Sequence, residues 1–469
     1  MTKPALRHPV RVLIVLLVTT LSIGLVGLAI RFQPEIRWTW RYLRSAPLPH
    51  SPLPSPPPAC DGCSLILIAL DTLRADTLIH MPRLRAIAAE SMLFTHAYTP
   101  AFYTTPSHMS VFTSLYPDQH RVMGAGIKIP RNPRTPYKAY RLSAKIKTLA
   151  EILRDRGYRT AWYGPMRLKH LDFELGFARG FEHIRPSPFT RPLWNGEIAP
   201  RFQADHIPPP QAREFLFIHS YITHLPYVLP DAKEGPFARD ELWARLQERR
   251  RQAHERDADS DSILHALGQD QLRQFSKMPG HSAQEPLRRA YVHSVSVLDS
   301  QIGELWAKLK DQGRLQNTVV AFFADHGEEL LEHGQGSHSS FYEHTSHVPL
   351  IIYHPRLRRG LTYDNLISLI DLMPTLLALL GVPVPPQARG LNVFTRSRAY
   401  VFGSTLGNEF ISDGAWKLLR THAGRERLFY LPLDPLEKHN LRPYQTLWTR
   451  DALARLRREQ RRWELEQAL

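Results

Sequence analysis

The chain has 469 residues, enough for one large α/β domain with a smaller appendage or for two domains. Its 60 Lys and Arg against 44 Asp and Glu leave a net charge of +16, which suits an anionic partner such as membrane headgroups, a polyanion or a phosphorylated substrate. Zinc-finger spacing, internal repeats and basic regions interleaved with aromatics of the nucleic-acid-binding kind are missing, which sets nucleic-acid binding and repeat architectures aside.

Val10–Ile30 (VRVLIVLLVTTLSIGLVGLAI) is about long enough to span a hydrocarbon core and carries one charge, Arg11. It predicts a membrane anchor. A cleaved signal peptide is the alternative, disfavoured because no A-x-A-like site follows the apolar run. Charge does not fix orientation, since Lys3, Arg7 and Arg11 precede the span and Arg31, Arg37, Arg41 and Arg44 follow it. Residues 31–44 are basic and aromatic, as at a headgroup interface, and 47–58 (PLPHSPLPSPPP) read as an extended polyproline spacer.

The two cysteines form a single C-x-x-C, Cys60 to Cys63. With no second cysteine pair a structural zinc site is disfavoured, leaving a local disulfide in an oxidising compartment or two free thiols. Next comes Ser64–Leu70 (SLILIAL), a buried strand ending at Asp71. Residues 82–91 predict an amphipathic helix and 93–98 a short strand. Thr104-Thr105-Pro106-Ser107-His108 opens a helix continuing to Leu115, so the Thr104 hydroxyl meets free N–H groups at a positive dipole end suited to a tetrahedral oxyanion. The plain alternative for Thr104 is an N-cap.

Residues 147–157 predict a helix, 158–163 and 215–222 strands, and 291–309 a helix feeding the strand at Thr318. Residues 231–285 are polar and charge-rich, a surface excursion or an insertion over the sheet. The run TVVAFFADHGE (318–328) is a β-branched and aromatic strand that ends in Asp325-His326-Gly327. Open α/β sheets bind ligands beyond the carboxyl ends of their strands, so Asp71, Asp325 and His326 are placed to build a cation site at one edge. Residues 368–380 predict an apolar helix, the segment from Tyr400 short antiparallel strands, and 450–469 a charged helix. Alternating strands and helices predict a large, mostly parallel sheet wrapped by helices, with a small C-terminal antiparallel α+β appendage.

LDTLRAD, TTPSHMSVFTSLYP, HSYITHLPY, ADHGEELLEHG, SSFYEHTSHVPLII and SLIDLMPTLLALLGVPVP occur here in one order. This ordered set resembles the sulfatase branch of the alkaline-phosphatase superfamily over roughly residues 64–441. The resemblance implies the organisation 1–9 basic N-terminus, 10–30 anchor, 31–62 juxtamembrane segment and stem, 63–395 sulfatase-like catalytic domain, 396–445 C-terminal subdomain and 446–469 terminal helix. It implies one divalent ion, with Mn, Mg, Ca and Zn undistinguished, ligated by Asp71, Asp325 and His326, with Thr104 as ligand and nucleophile. His224 falls in the leaving-group histidine slot. His338 and His108 are further candidates for oxygen clamps or general acids, and Arg74 is a candidate substrate contact.

The sequence departs from true sulfatases. Threonine at position 104 cannot yield formylglycine, and His108 stands where an arginine closes the motif. Thr72 replaces a second aspartate, and the two lysine slots hold Pro165 and His338. These losses point towards a phosphate ester and a covalent Thr104 intermediate, by hydrolysis or by phosphoryl transfer. The alternatives are sulfuric ester cleavage by a non-formylglycine route and a degenerate, membrane-tethered binder of anionic glycans or lipids. An extracytoplasmic, periplasmic location is expected from the anchor, the stem, the C-x-x-C and the habit of the family.

Overall fold

The structure is a computed structural model; it describes residues 58–123, 141–164, 171–189, 209–228, 267–274, 284–354 and 360–468, with single residues and short stretches between them. The anchor at 10–30, the juxtamembrane segment, nearly all of the proline stem, Pro165 and most of the 231–285 excursion lie outside the described residues. Among the described residues no helix is long and apolar enough to cross a membrane.

Nine strands form the main sheet: β1 (Ser64–Leu70), β2 (Met92–Tyr98), β3 (Arg159–Tyr163), β4 (His183–Arg185), β5 (Glu214–Ser220), β6 (Thr318–Phe323), β9 (His347–Tyr353), β10 (Leu361–Tyr363) and β11 (Ile367–Ser368). Their order is β10-β2-β9-β6-β1-β5-β3-β4, with β11 also on β2. β6, β1, β5, β3 and β4 run parallel, whereas β9 pairs antiparallel with both β6 and β2, so the sheet is mixed. Every residue of β1, β5 and β6 is buried, as expected for central strands covered on both faces. β1 lies between β5 and β6, so Asp71, Asp325 and the His219-Ser220 end of β5 emerge at one edge.

Helices flank this sheet. The first, α1 (Pro82–Ala89), packs on β2 and β9, and α2 is Thr104–Thr113. The predicted helix at 147–157 is shorter, α3 (Leu149–Arg154), started by a Thr148/Glu151 capping box. α4 (Gln284–Asp311) starts seven residues before its predicted start, because Leu287 and Ala290 extend the buried face that continues through Tyr291, Val295, Leu298 and Ile302. Asp299 on this helix accepts from the Arg83 and Leu84 N–H groups at 3.1 and 2.9 Å, capping α1 from outside because Met81 offers no side-chain cap. The run at 368–380 is helical only over α5 (Leu372–Leu379). Ser368 pairs in β11 and Asp371 accepts from Ser368 and Leu391 N–H groups, which turns residues 369–371 into a tight 3₁₀ step.

The C-terminal part is a meander, β12 (Val401–Thr405), β13 (Asn408–Ser412), β14 (Trp416–Arg420) and β15 (Glu426–Tyr430), covered by α6 (Leu447–Ala468). Lys417 on β14 is fully buried and reaches Glu343 at 2.7 Å, Ser346 at 2.8 Å and Glu437 at 3.3 Å. Burial pushes the Glu437 carboxyl up despite the Lys417 charge, as one ammonium facing two buried carboxyls requires. This knot ties the meander to the segment that carries the site. At the opposite edge, Cys60 and Cys63 form the disulfide that was one of the two options left by the sequence.

Candidate active site

Thr104 is the first residue of α2 and 3 % exposed, preceded by Tyr103, which gives no side-chain cap. The Thr104 hydroxyl therefore stands at the positive dipole end of this ten-residue helix, although Pro106 has no N–H and the Ser107 N–H donates to the Tyr103 carbonyl at 3.2 Å. Its Oγ1 is 3.2 Å from His326 Nε2 and 3.5 Å from Asp71 Oδ2. Ser107 locks the helix onto β6, donating to the Asp325 carbonyl at 2.7 Å and meeting Thr99 Oγ1 at 3.0 Å. Three segments distant in sequence thus bring together Asp71, Thr104, Asp325 and His326.

The turn after β1 explains why Thr72 adds no ligand. Thr72 has φ +58°, and its hydroxyl donates to the Thr223 carbonyl at 2.6 Å, while Thr223 donates to the Asp71 carbonyl at 2.5 Å. Tyr291 clamps the same turn, donating to the Thr72 carbonyl at 2.8 Å and accepting from Arg74 N–H. Gly327 is fixed by close approach, since a Cβ there would stand 1.9 Å from the His344 carbonyl oxygen.

The donor set fits a divalent cation. Ligand atoms of Asp71, Asp325 and His326 lie within 4.8 Å of one another, and all three residues are buried. His326 Nδ1 is 2.9 Å from the Gly327 carbonyl, so Nδ1 carries the proton and Nε2 presents a lone pair towards Thr104. Burial pushes the His326 imidazole down to about 4 against the pull of Asp325, keeping it neutral as a ligand must be. Asp325 Oδ1 accepts from the N–H groups of Thr72 and His326 at 3.3 and 3.0 Å, while Oδ2 is buried without a hydrogen bond. Burial opposes ionisation of Asp325, but His326 and His108 outweigh it and hold the carboxyl below its usual range. A buried carboxylate with one oxygen unbonded is what a hard cation would complete.

His338 follows the small hairpin β7–β8 (Glu329–Leu330, Gly336–Ser337), which folds its ring against His326 with centroids 4.3 Å apart. Its Nδ1 is 3.2 Å from Glu328 Oε1, and Tyr227 OH donates to Glu328 Oε2 at 2.8 Å. Burial raises the Glu328 carboxyl to about 8, against the Tyr227 hydrogen bond and the nearby His326 and Arg74. His224 lies on the same side, its ring 5.5 Å from His338, with Nδ1 turned to the Leu225 carbonyl at 2.8 Å. His108 lies beneath the ligands, fully buried, with Nδ1 3.3 Å from Asp325 Oδ2 and 2.9 Å from the Thr104 carbonyl.

Arg74 is placed differently from the substrate contact expected of it. Its guanidinium is fully buried and bonded to Asp76 at 2.8 and 2.9 Å, Glu332 at 2.5 Å and the Glu328 carbonyl at 3.2 Å, so it braces the loop behind Glu328. Asp76, two residues on, was the available sign of that pairing. Glu328, Tyr227 and His219 were not singled out from sequence as site residues. His219 is 3.4 Å from Asp71 Oδ2, and its signal was a histidine at the carboxyl end of an otherwise apolar strand.

A mixed α/β sheet gathers two carboxylates, an imidazole and a helix-terminal hydroxyl at one edge. The chain belongs to the sulfatase family, whose profile matches residues 65–382. It is 41 % identical to arylsulfatase K of Danio rerio over 116 residues and 36 % identical to that of Bos taurus over 111 residues. Each of these matches covers 24 % of this chain and about a fifth of the relative, 22 and 21 %. Iduronate 2-sulfatase of Mus musculus is 23 % identical over 420 residues, covering 70 % of each chain. The fold is similar to that of a 2-O GAG sulfatase (TM-score 0.65, 18 % identity, 87 % of this chain and 93 % of that one). It is also similar to a phosphonate monoester hydrolase from Silicibacter pomeroyi (TM-score 0.59, 20 % identity, 87 and 96 %).

Proposed function

We propose that this chain is a membrane-anchored, metal-dependent hydrolase or phosphotransferase that cleaves an anionic phosphate ester through a covalent Thr104 intermediate. The observation that carries the reading is the Thr104 hydroxyl, at the start of α2 and within 3.2 to 3.5 Å of His326 and Asp71. A bound divalent ion would be held by Asp71, Asp325, His326 and Thr104, and would supply Lewis-acid stabilisation of the charge that develops on the transferring oxygens.

The chain's own groups do the rest. Thr104 Oγ1 gives up its proton to water and bonds to phosphorus, while the bond from phosphorus to the leaving oxygen breaks in line with it. The positive dipole end of α2 would favour the oxygens that gain charge. His338, held through Nδ1 by Glu328, or its neighbour His224, gives the departing oxygen a proton. Water or a substrate alcohol then attacks the phosphothreonine, and the bond to Thr104 Oγ1 breaks to restore the hydroxyl.

His338→Ala is expected to slow cleavage of alkyl phosphodiesters by about 10²- to 10⁴-fold, while aryl esters with acidic leaving groups lose much less. A uniform loss across a leaving-group series would show that His338 does not protonate the leaving oxygen.

A second reading, sulfuric ester cleavage without formylglycine, is favoured by the sulfatase names of the sequence relatives and by a structural neighbour solved with D-glucosamine-2-N,6-O-disulfate. Rates on matched phosphate and sulfate esters with each divalent ion decide between the two. The substrate class in either case is an anionic ester on a lipid or glycan. We place the domain outside the cytoplasm, so protease added to intact spheroplasts should digest it; resistance that ends only on lysis would contradict that placement.

A further inference from the structure

Beneath the ligand carboxylates lies a floor that the reaction above does not use. His108 and His219 are both fully buried, their rings 5.0 Å apart, enclosed by Phe217, Phe323 and Tyr221. Each faces a different ligand. His219 Nε2 is 3.4 Å from Asp71 Oδ2, and His108 Nδ1 is 3.3 Å from Asp325 Oδ2.

An aromatic floor alone would be better filled by apolar side chains. His108 Nε2 and His219 Nδ1 are buried without a hydrogen bond, and His219 Nε2 has only its 3.4 Å approach to Asp71 Oδ2, an arrangement that costs stability unless the polar rings serve the site. His108 Nδ1 lies 2.9 Å from the Thr104 carbonyl, which accepts only, so that nitrogen carries its proton, 3.3 Å from Asp325 Oδ2.

We propose that His108 and His219 are positioning residues for the cation site, each directing an N–H at one ligand carboxylate so that Asp325 and Asp71 are held facing the ion. The proposal rests on the site assigned above. A carboxylate on a freely rotating side chain must be ordered when the ion binds, whereas one fixed from behind is ordered in advance. The pair also differs in reach. His108 ties Asp325 to the helix that carries the nucleophile, through the Thr104 carbonyl, while His219 ties Asp71 to the end of β5.

The test is equilibrium binding of Mn²⁺ to the full chain in detergent, read from the free-ion electron paramagnetic resonance signal and independent of turnover. His219→Leu and His108→Leu should each weaken Mn²⁺ binding by about 10- to 100-fold. His219→Gln and His108→Asn return an amide N–H near the lost position and should recover most of that affinity. Leucine variants that bind Mn²⁺ as the parent does would overturn the proposal. So would amide variants as weak as the leucine ones, because the floor would then act only through packing. Asp325→Ala tests the site itself: lost binding there supports it, and full binding would remove the site and the proposal with it.

Discussion

Thr104→Ala abolishes turnover while leaving the fold and the other three candidate ligands, Asp71, Asp325 and His326, in place. Loss on the order of 10⁴-fold or more is expected, the scale seen when a covalent hydrolase loses its nucleophile. The substitution removes the hydroxyl and the γ-methyl at the first position of α2, where helix propensity favours alanine and no side-chain cap is lost. The melting temperature should therefore change little. Thr104→Ser keeps the hydroxyl and should retain measurable activity, although freer rotation about χ1 loosens its aim. If alanine at this position hydrolysed phosphodiesters at the parent rate, the helix N-terminus would be an anion cradle with no nucleophile in it.

Asp325→Asn carries the second large effect. Asparagine can still accept, through its carbonyl oxygen, from the N–H groups of Thr72 and His326, so the turn after β6 is retained. What disappears is one negative charge against a divalent ion. At a separation of about 4 Å and an effective dielectric near 20, a pair of unit charges is worth about 4 kcal/mol, so affinity should fall on the order of 10³-fold. Metal analysis of protein dialysed against a weak chelator checks this, with turnover measured beside it. Turnover restored by excess divalent ion would place the defect in binding. Unchanged metal content would mean that the ion, if one is used, sits elsewhere.

Much of this architecture could be read from the chain before any coordinates. Apolar runs at 64–70 and 318–323 became adjacent parallel strands, and their abrupt polar ends, Asp71 and Asp325, came together buried at one edge of the sheet. The reversal of β9 was not legible: HVPLIIY satisfies either direction equally, and only the chain path decides. Nor was the role of Arg74. Its place in LDTLRAD resembles a substrate contact, yet the structure closes it into a buried cluster with Asp76 and Glu332. Glu328 was hidden in the tail of the DHGE motif, since nothing in sequence says that Tyr227 reaches it from the loop after β5. His219 was hidden for the opposite reason, a polar residue within a strand whose surroundings are all apolar.

The same comparison shows where positive charge is scarce. The retained arginine is consumed by carboxylates, His219 is held neutral, and the cation beneath the ligands that a sulfatase would carry is a histidine here. Among the described residues, charge on a transferring group would then be met mainly by a bound ion and by the positive end of α2. A singly charged diester asks less of such a site than a dianionic monoester. Diesters are accordingly expected to outpace monoesters of the same leaving group.

The most direct measurement is peptide mass spectrometry of enzyme quenched in acid during turnover of an activated phosphodiester. Phosphorylation should appear on Thr104 in the parent protein, accumulate when the acceptor step is slowed, and be missing from Thr104→Ala. Steady product release with Thr104 never modified, or equal activity without its hydroxyl, would contradict a covalent route through this residue.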